Sequence, residues 1–551
     1  MELRDYQKEA VERTLEEFRT HQSALTVMAT GLGKTVYFSH VARHFVERGR
    51  IMVIAHREEL VSQNANTLSS VCGIEADIEM ADSYAMENEW LRSNLVVSSV
   101  QTQIAGREEE RRMCRFKPED FSMLIIDEAH HATAASYRRV IEYYKRNPAL
   151  RVLGVTATPD RADEMALGAI FETVAYEYGI LDGIENGWLV PINQTCVYVQ
   201  DLDFSEVRTT AGDLNAKDLA AVMEYEEALH GIAYPTIEIA GDRRTLVFAA
   251  SVAHAERLCE ILNRHKHGSA SFVCGTTPKE YRREVFSRFR DGTIQFLVNV
   301  GVATEGFDEP GIEVVVMARP TKSRCLYTQM VGRGTRPLPR IVDCLRTAEE
   351  RRAAIAASAK PSVEIIDFVG NAGRHKLVNT ADILGGKYPD EVIELARETA
   401  RKSGKPVDML SELQRAEREI AHRRRLAEEA ELRRKITAKA KYSVKRVDPF
   451  DLFDMVPHRE PAWHKGRVPT QKQIEFLRRN GVETEGMSFV HASQVISEIL
   501  RRHKEGLCTL KQAKILKRYG YDSSNISFEK ASKIIDAIAA NGWRKTKMAT
   551  P

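Results

Sequence analysis

The chain has 551 residues, 43% hydrophobic and 29% charged, with 80 Lys and Arg against 78 Asp and Glu. That length exceeds one hydrophobic core and predicts roughly three to four domains at about 150 residues each. A net charge of +2 gives no chain-wide attraction to polyanions, so any nucleic-acid surface must be local. The run 1–9 is charged at once, which argues against a secretory signal, and no apolar run approaches the roughly 20 residues a bilayer crossing needs. The eight cysteines (72, 114, 196, 259, 274, 325, 344 and 508) form no Cys-x-x-Cys pair, so reduced core thiols are expected rather than zinc or disulfides.

Residues 1–185 alternate amphipathic helices with apolar runs at 24–28, 51–55, 95–100, 123–126 and 151–155. Such runs predict strands buried on both faces of a mostly parallel sheet. The first leads into Ala29-Thr30-Gly31-Leu32-Gly33-Lys34-Thr35, a glycine-rich turn before a helix. Gly31 and Gly33 let backbone N–H groups turn toward oxyanions at a helix N-terminus. Lys34 offers a point charge to β- and γ-phosphates, and the Thr35 hydroxyl a ligand for Mg²⁺. The strict phosphate-loop pattern has Gly at position 28, where this chain has Met28. The fourth run ends in Asp127-Glu128-Ala129-His130. Asp127 is suited to hold Mg²⁺, and Glu128 to orient and polarise the attacking water. His130 and His131 have no Cys/His cluster nearby in sequence, so no metal site is expected there.

A less regular stretch at 186–235 reads as a linker or insertion. The rhythm then restarts at 245–249, 271–274, 295–300, 313–317 and 363–368, predicting a second α/β domain over 236–400 without a phosphate loop of its own. Tandem domains of this kind frame a motor with ATP held between two lobes. Negative charge developing in phosphoryl transfer then calls for cations from the facing lobe. The segment 329–336 offers Gln329, Arg333 and Arg336, the two arginines sharing one face if the segment is helical.

Composition shifts after about 400, and residues 401–460 read as a charged helical segment. The run 411–446 lacks Pro and Gly and holds twelve Lys/Arg against six Glu. It reads as a solvated helix with i,i+4 ion pairs, the alternative being a helix along a nucleic-acid backbone. In 461–545 the stretch 470–481 returns as 509–520, an offset of 39. Each copy predicts a Thr-capped helix closed by Gly, followed by a Ser-capped helix. The repeated Lys-Gln and Arg/Lys-Arg positions suit a repetitive polyanion; a compact helical pair serving protein contacts is the other reading.

Over about residues 1–370 the chain resembles superfamily 2 helicases of the DEAH-box type. The motifs occur in order: Arg4-Asp5-Tyr6-Gln7, the phosphate loop, Ala55 to Leu60, Ser98 to Thr102, Asp-Glu-Ala-His, Thr156-Ala157-Thr158-Pro159, Val247-Phe248-Ala249, Val300 to Asp308, and Gln329 to Arg336. Residues 299–308 and 366–371 carry a narrower likeness to RadD-like and phage-encoded DNA helicases. The resemblance implies an α/β fold of two tandem RecA-like parallel-sheet domains followed by an α-helical C-terminal region. It implies ATP and Mg²⁺ as cofactors. Arg4 and Gln7 would read adenine, Thr30, Gly31, Leu32, Gly33, Lys34 and Thr35 would hold the phosphates, and Gly306 and Asp308 would reach the nucleotide from the second lobe. Thr156 and Thr158 would couple hydrolysis to lobe movement. Arg57, Gln101, Thr102, Thr276 and Thr304 would lie near the nucleic-acid strand. Single-stranded, forked or branched DNA is the implied partner, with single-stranded-DNA-binding or recombination proteins beside it and neither membrane nor zinc. The implied setting is the cytoplasm of a bacterial or phage-infected cell, associated with the nucleoid, in replication, recombination or repair. An RNA helicase, the motor of a restriction or defence complex, and a binding scaffold with a vestigial motor are the alternatives.

Overall fold

A computed structural model describes residues 2–540 apart from 87–91, 109, 158–165, 211, 304–306, 372–376, 385–387, 404–406, 437–449, 451–452, 454, 522 and 524. These residues divide into two compact units, Met1–Leu384 with Ala400–Leu410, and Gly385–Thr399 with Ser411–Pro551. No described helix is long and apolar enough to cross a membrane.

The first unit holds two sheets. In the first, β1 (Ser23–Met28), β2 (Arg50–Ala55), β3 (Asp77–Glu79), β4 (Leu95–Ser99), β5 (Phe121–Asp127), β6 (Arg151–Thr156) and β7 (Thr173–Tyr178) run in the order β3-β4-β2-β5-β6-β1-β7. Every pairing is parallel. β1, β2 and β4 are buried along their whole length, as strands covered on both faces require. β6 lies between β1 and β5, so the carboxyl ends of β1, β5 and β6 share one edge. Val27 pairs with Thr156, and Asp127 with Val155. Ligands in open parallel sheets bind outside that edge, where the chain order reverses.

The second sheet comprises β8 (Ile192–Asp203), β11 (Thr245–Phe248), β12 (Ala270–Cys274), β13 (Phe296–Val300), β14 (Val314–Met317), β15 (Val363–Asn371) and β16 (Val407–Asp408); a separate hairpin joins β9 (Thr209–Thr210) to β10 (Asp213–Leu214). The order is β12-β13-β11-β14-β15-β8-β16, parallel except for the edge strand β16. This corrects the linker expected at 186–235. β8 pairs with β15 from Ile192 opposite Val363 onward, and the helices Ala216–Met223 and Glu226–Ala240 bury Leu219, Met223, Leu229 and Ile232 against Val247, Leu258 and Phe296. The second α/β body therefore begins near 192. It also reaches past 400, because β16 falls in the stretch expected as charged helix, while 385–399 belongs to the second unit. β8 is masked in sequence by its polar residues: buried Gln194 donates to Asp367, and buried Thr195 donates to Glu364.

In the second unit the charged run begins on the helix Met409–Ile436, where Arg415 pairs with Glu412 at 2.8 Å and Arg424 with Glu391 at 3.0 Å. Residues 437–446 of the run lie outside the described residues. The tail repeat is structural as well as sequential. Thr470 with Gln473, and Thr509 with Gln512, form matching capping boxes. Gln473 donates to Ser493 at 2.8 Å, and Gln512 to Ser532 at 2.9 Å. Leu477 and Leu516, with Ala492 and Ala531, share one core, and the Lys514 ammonium donates to the Gly481 carbonyl at 2.9 Å across the copies.

One buried carboxyl ties β8, β15 and the helix Arg324–Gly332 together. Asp367 accepts from the Tyr327 hydroxyl at 2.6 Å and from Gln194. Burial is the main cause that pushes its carboxyl from 3.8 up to about 6, with Asp382 adding and the two hydrogen bonds opposing. A folded-state value above the unfolded one means that its stabilisation is complete below the unfolded pKa and is lost as pH rises through the folded one, on the order of 3 kcal/mol. Asp367→Asn should remove this slope. In urea unfolding between about pH 4 and 7, wild type should lose stability that the variant keeps, whereas equal slopes would show that another group titrates.

Candidate nucleotide site between two lobes

The turn after β1 has the expected geometry. Gly31 (φ 87°) and Gly33 (φ 75°) are left-handed, and Gly33 caps the helix Lys34–Arg43. A Cβ on Gly33 would lie 2.6 Å from Gln7 Nε2, and one on Gly31 would lie 3.0 Å from Arg336 Cγ. Both positions exclude a side chain by strain and by space. Gln7 is saturated by protein: its Oε1 accepts from the Arg4 backbone N–H at 3.0 Å, and its Nε2 donates to the carbonyls of Leu32 at 2.9 Å and Gly33 at 3.3 Å. The Tyr6 hydroxyl donates to the Leu32 carbonyl at 2.7 Å, and its ring stacks on Tyr178 at 4.6 Å.

Facing the turn, the Lys34 ammonium pairs with Glu128 at 2.8 Å. Asp127 and Glu128 are 4% and 7% exposed. Asp127 Oδ2 accepts from Asn64 at 2.9 Å, and Asn64 Oδ1 accepts from the Thr35 hydroxyl at 3.4 Å. One amide thus bridges Thr35 and Asp127, two hard oxygen donors of the kind a divalent cation takes. Glu128 is left-handed (φ 49°, ψ 55°), an uncommon and strained geometry for a residue with a Cβ. The Asp127 carboxyl is raised, first by burial and then by the Glu128 charge, against the opposing pull of Lys34 and Asn64. His130 Nδ1 lies 3.2 Å from the Thr156 hydroxyl and 3.5 Å from Glu128, which links the acidic pair to the end of β6.

The second lobe reaches this edge through 329–336. The helix Arg324–Gly332 stops before the arginines, so they do not share a helical face as expected: Arg333 caps the helix and Arg336 lies beyond it. Just past the helix end, a Cβ on Gly334 would lie 2.5 Å from Val363, so the turn packs too closely there for a side chain. Arg333 donates to the Phe307 carbonyl at 2.8 Å, and Arg336 pairs with Asp308 while its stem covers Gly31. Gly332 sits on Thr30, where a Cβ would come within 2.6 Å. Gln329 is 3% exposed, and its Nε2 has no hydrogen-bond partner among the described residues.

Other expected residues are placed differently. Thr158, Thr304 and Gly306 lie outside the described residues. Arg57 donates to the Gly301 carbonyl at 2.6 Å, bridging the lobes. The Thr102 hydroxyl is 2.8 Å from that of Ser99, the cap of its own helix. Gln101 and Thr276 are exposed. Arg4 pairs with Asp343 of the second lobe at 3.1 Å, and its guanidinium lies 4.7 Å from the Trp188 ring, whose other cation is Arg351 at 3.9 Å. Sequence reading missed Asn64, Trp188, Asp343 and Arg351. Asn64 carried a legible signal, as the polar member of the buried stripe Leu60, Val61, Asn64, Ala65 and Leu68.

Family models match in two places: Type III restriction enzyme, res subunit, over residues 1–161, and Helicase conserved C-terminal domain over 226–337. Fold and matches together mark this part of the chain as a tandem RecA-like core, similar to that of superfamily 2 helicases. Among relatives, the "Putative ATP-dependent helicase IRC3" of Saccharomyces cerevisiae is 31% identical over 404 residues, 70% of this chain and 54% of that protein. The Type I restriction enzyme EcoAI endonuclease subunit of Escherichia coli is 26% identical over 373 residues, 60% of this chain and 44% of that one. The chain spans about half the length of these relatives. The solved ATP-dependent Type ISP restriction-modification enzyme LlaBIII bound to DNA aligns over 99% of this chain and 40% of its own, at 14% identity and TM-score 0.50, a likeness of fold alone.

The Asn64 hydrogen bond favours the charged form of Asp127 against burial, and a divalent cation needs that form. Magnesium-dependent binding of a fluorescent ATP analogue should therefore weaken as pH falls through the raised Asp127 value. Asn64→Leu removes the amide and should move this acid limb to higher pH. An unmoved limb would separate Asn64 from the site.

Proposed function

We propose that the chain is an ATP-dependent DNA helicase or translocase of the DEAH-box type, within the RadD-like and phage-encoded group. One observation carries this reading: a phosphate loop on one sheet is covered by Arg336 from a second sheet, so the site is complete only when both lobes meet. Gly31, Gly33 and Lys34 would cradle the triphosphate, and Thr35 with Asp127 would hold Mg²⁺, which supplies charge neutralisation between the phosphates when bound. Glu128 would orient water and accept its proton, with Lys34 and His130 fixing the carboxylate beside it. Gln329, Arg333 and Arg336 would meet the transition-state charge. Thr156, bonded to His130, would pass the state of the acidic pair to the end of β6. Phosphate and sugar contacts would make strand binding sequence-tolerant and salt-sensitive.

DNA in a bacterial or phage-infected cytoplasm is the substrate this reading requires, with the tail repeat gripping branched or single strands. Hydrolysis stimulated by single-stranded DNA, and less by RNA of equal length, supports it; the reverse order favours an RNA helicase. The res-subunit match and the EcoAI relative favour a second reading, the motor subunit of a restriction complex, which co-purification of a nuclease or methylase chain would reveal. DNA binding without stimulated hydrolysis would point to a scaffold.

Lys34→Ala should lower DNA-stimulated hydrolysis by about 10²-fold or more. Glu128→Gln should keep ATP binding while turnover falls by about 10²- to 10³-fold. Wild-type hydrolysis by Glu128→Gln would refute the assignment of the acidic pair.

A further inference from the structure

Lys360 lies between the helix Ala348–Ala356 and β15 and is 1% exposed. Its ammonium donates to the carbonyl of Arg336 at 2.7 Å and to that of Pro310 at 2.7 Å. The acidic groups that face it are engaged elsewhere: Glu309 pairs with Arg290 and Arg244, and Glu313 accepts from the Arg244 backbone N–H. Burying an ammonium without a paired carboxylate is costly, so filling space does not explain a lysine here. Its distinctive capacity is to hold two main-chain oxygens at once by charge-assisted bonds. One oxygen belongs to the residue whose side chain covers the phosphate loop. The other lies two residues beyond Asp308, the ion-pair partner of that same side chain. A ring results, running from Lys360 to the Arg336 main chain, from the Arg336 guanidinium to Asp308, and from Pro310 back to Lys360.

We propose that Lys360 is a positioning residue for Arg336, fixing the main chain from which the guanidinium reaches the nucleotide, and so acting on turnover rather than on nucleotide affinity. The assignment rests on the reading of the chain as an ATP hydrolase. Burial lowers the Lys360 ammonium to about 7; Arg336 and Arg244 act in the same direction, and Glu313 and Glu309 against it. The neutral amine keeps two N–H donors but loses the charge that strengthens both bonds. Turnover should therefore decline as pH rises through that value.

The test compares full-length wild type with Lys360→Met and Lys360→Gln. Steady-state ATP hydrolysis at saturating DNA is measured from about pH 6 to 9, beside binding of a fluorescent ATP analogue and thermal unfolding. For Lys360→Met, kcat should fall about tenfold or more while analogue affinity stays within about twofold. Lys360→Gln, whose amide still donates, should lose less, and the alkaline decline of kcat should be absent from both variants. Should Lys360→Met fail to fold, Lys360→Gln and the wild-type pH profile decide the matter. Wild-type kcat and pH profile in the folded variants overturn the proposal, as does a loss of affinity equal to the loss of turnover. Lys34→Ala separates the two readings. Hydrolysis undiminished by loss of Lys34 refutes the assigned nucleotide site on which the proposal rests, whereas hydrolysis that needs Lys34 but not Lys360 refutes the positioning role alone.

Discussion

The close approach of the second lobe to the phosphate loop is the constraint on which the site depends. Thr30 and Gly31 form one side of it, and Gly332 and Arg336 the other, with Leu189 filling the remaining space against Gly31. Glycine at 31 and 332 leaves the volume into which the facing lobe fits. The contacts around this centre are polar and partly exposed. Lys279 pairs with Glu58 and Arg282 with Glu59 at the rim, and exposed pairs of this kind contribute about 0.2–1 kcal/mol each. The Arg57–Gly301 bond and the Trp188 ring between Arg4 and Arg351 add geometry more than buried apolar area. Such an interface can part without opening either core, which a cleft that admits and releases nucleotide needs.

The parts of the fold legible in sequence were those where a single force dominates. The β1, β2, β4 and β5 runs are apolar because both faces are covered, and β1 and β5 lead into the glycine turn and the acidic pair. β3 is three residues long with only Glu79 buried, and β7 opens on two partly buried residues and is interrupted by the exposed Glu177, so neither stands out as an apolar run. β8 was hidden for another reason: Gln194 and Thr195 are buried but satisfied by Asp367 and Glu364, partners some 170 residues away. Local composition cannot report such pairing. The site shows the same division. Gly31, Lys34, Asp127 and Glu128 form a short pattern tied to one chemistry, whereas Trp188, Asp343 and Arg351 acquire meaning only when two lobes place them together.

Charge balance explains why the two halves of the site suit the same ligand. On the first lobe, buried Asp127 and Glu128 face Lys34, and the Asp127 carboxyl is raised first by burial and then by the Glu128 charge. Under the reading proposed above, a divalent cation held by Thr35 and Asp127, which one Asn64 amide bridges, would stabilise the charged form of Asp127. On the second lobe, Arg336 is neutralised by Asp308, and Arg333 rests on a main-chain carbonyl. Phosphates entering above Gly31 would compete with Asp308 for the Arg336 guanidinium, a contest that the carboxylate, half exposed to water, is poorly placed to win. Parting that pair releases the side chain but not its main chain, which Lys360 still holds to Pro310. Under the proposed reading, nucleotide would thus meet one rotatable side chain whose main chain Lys360 holds in place.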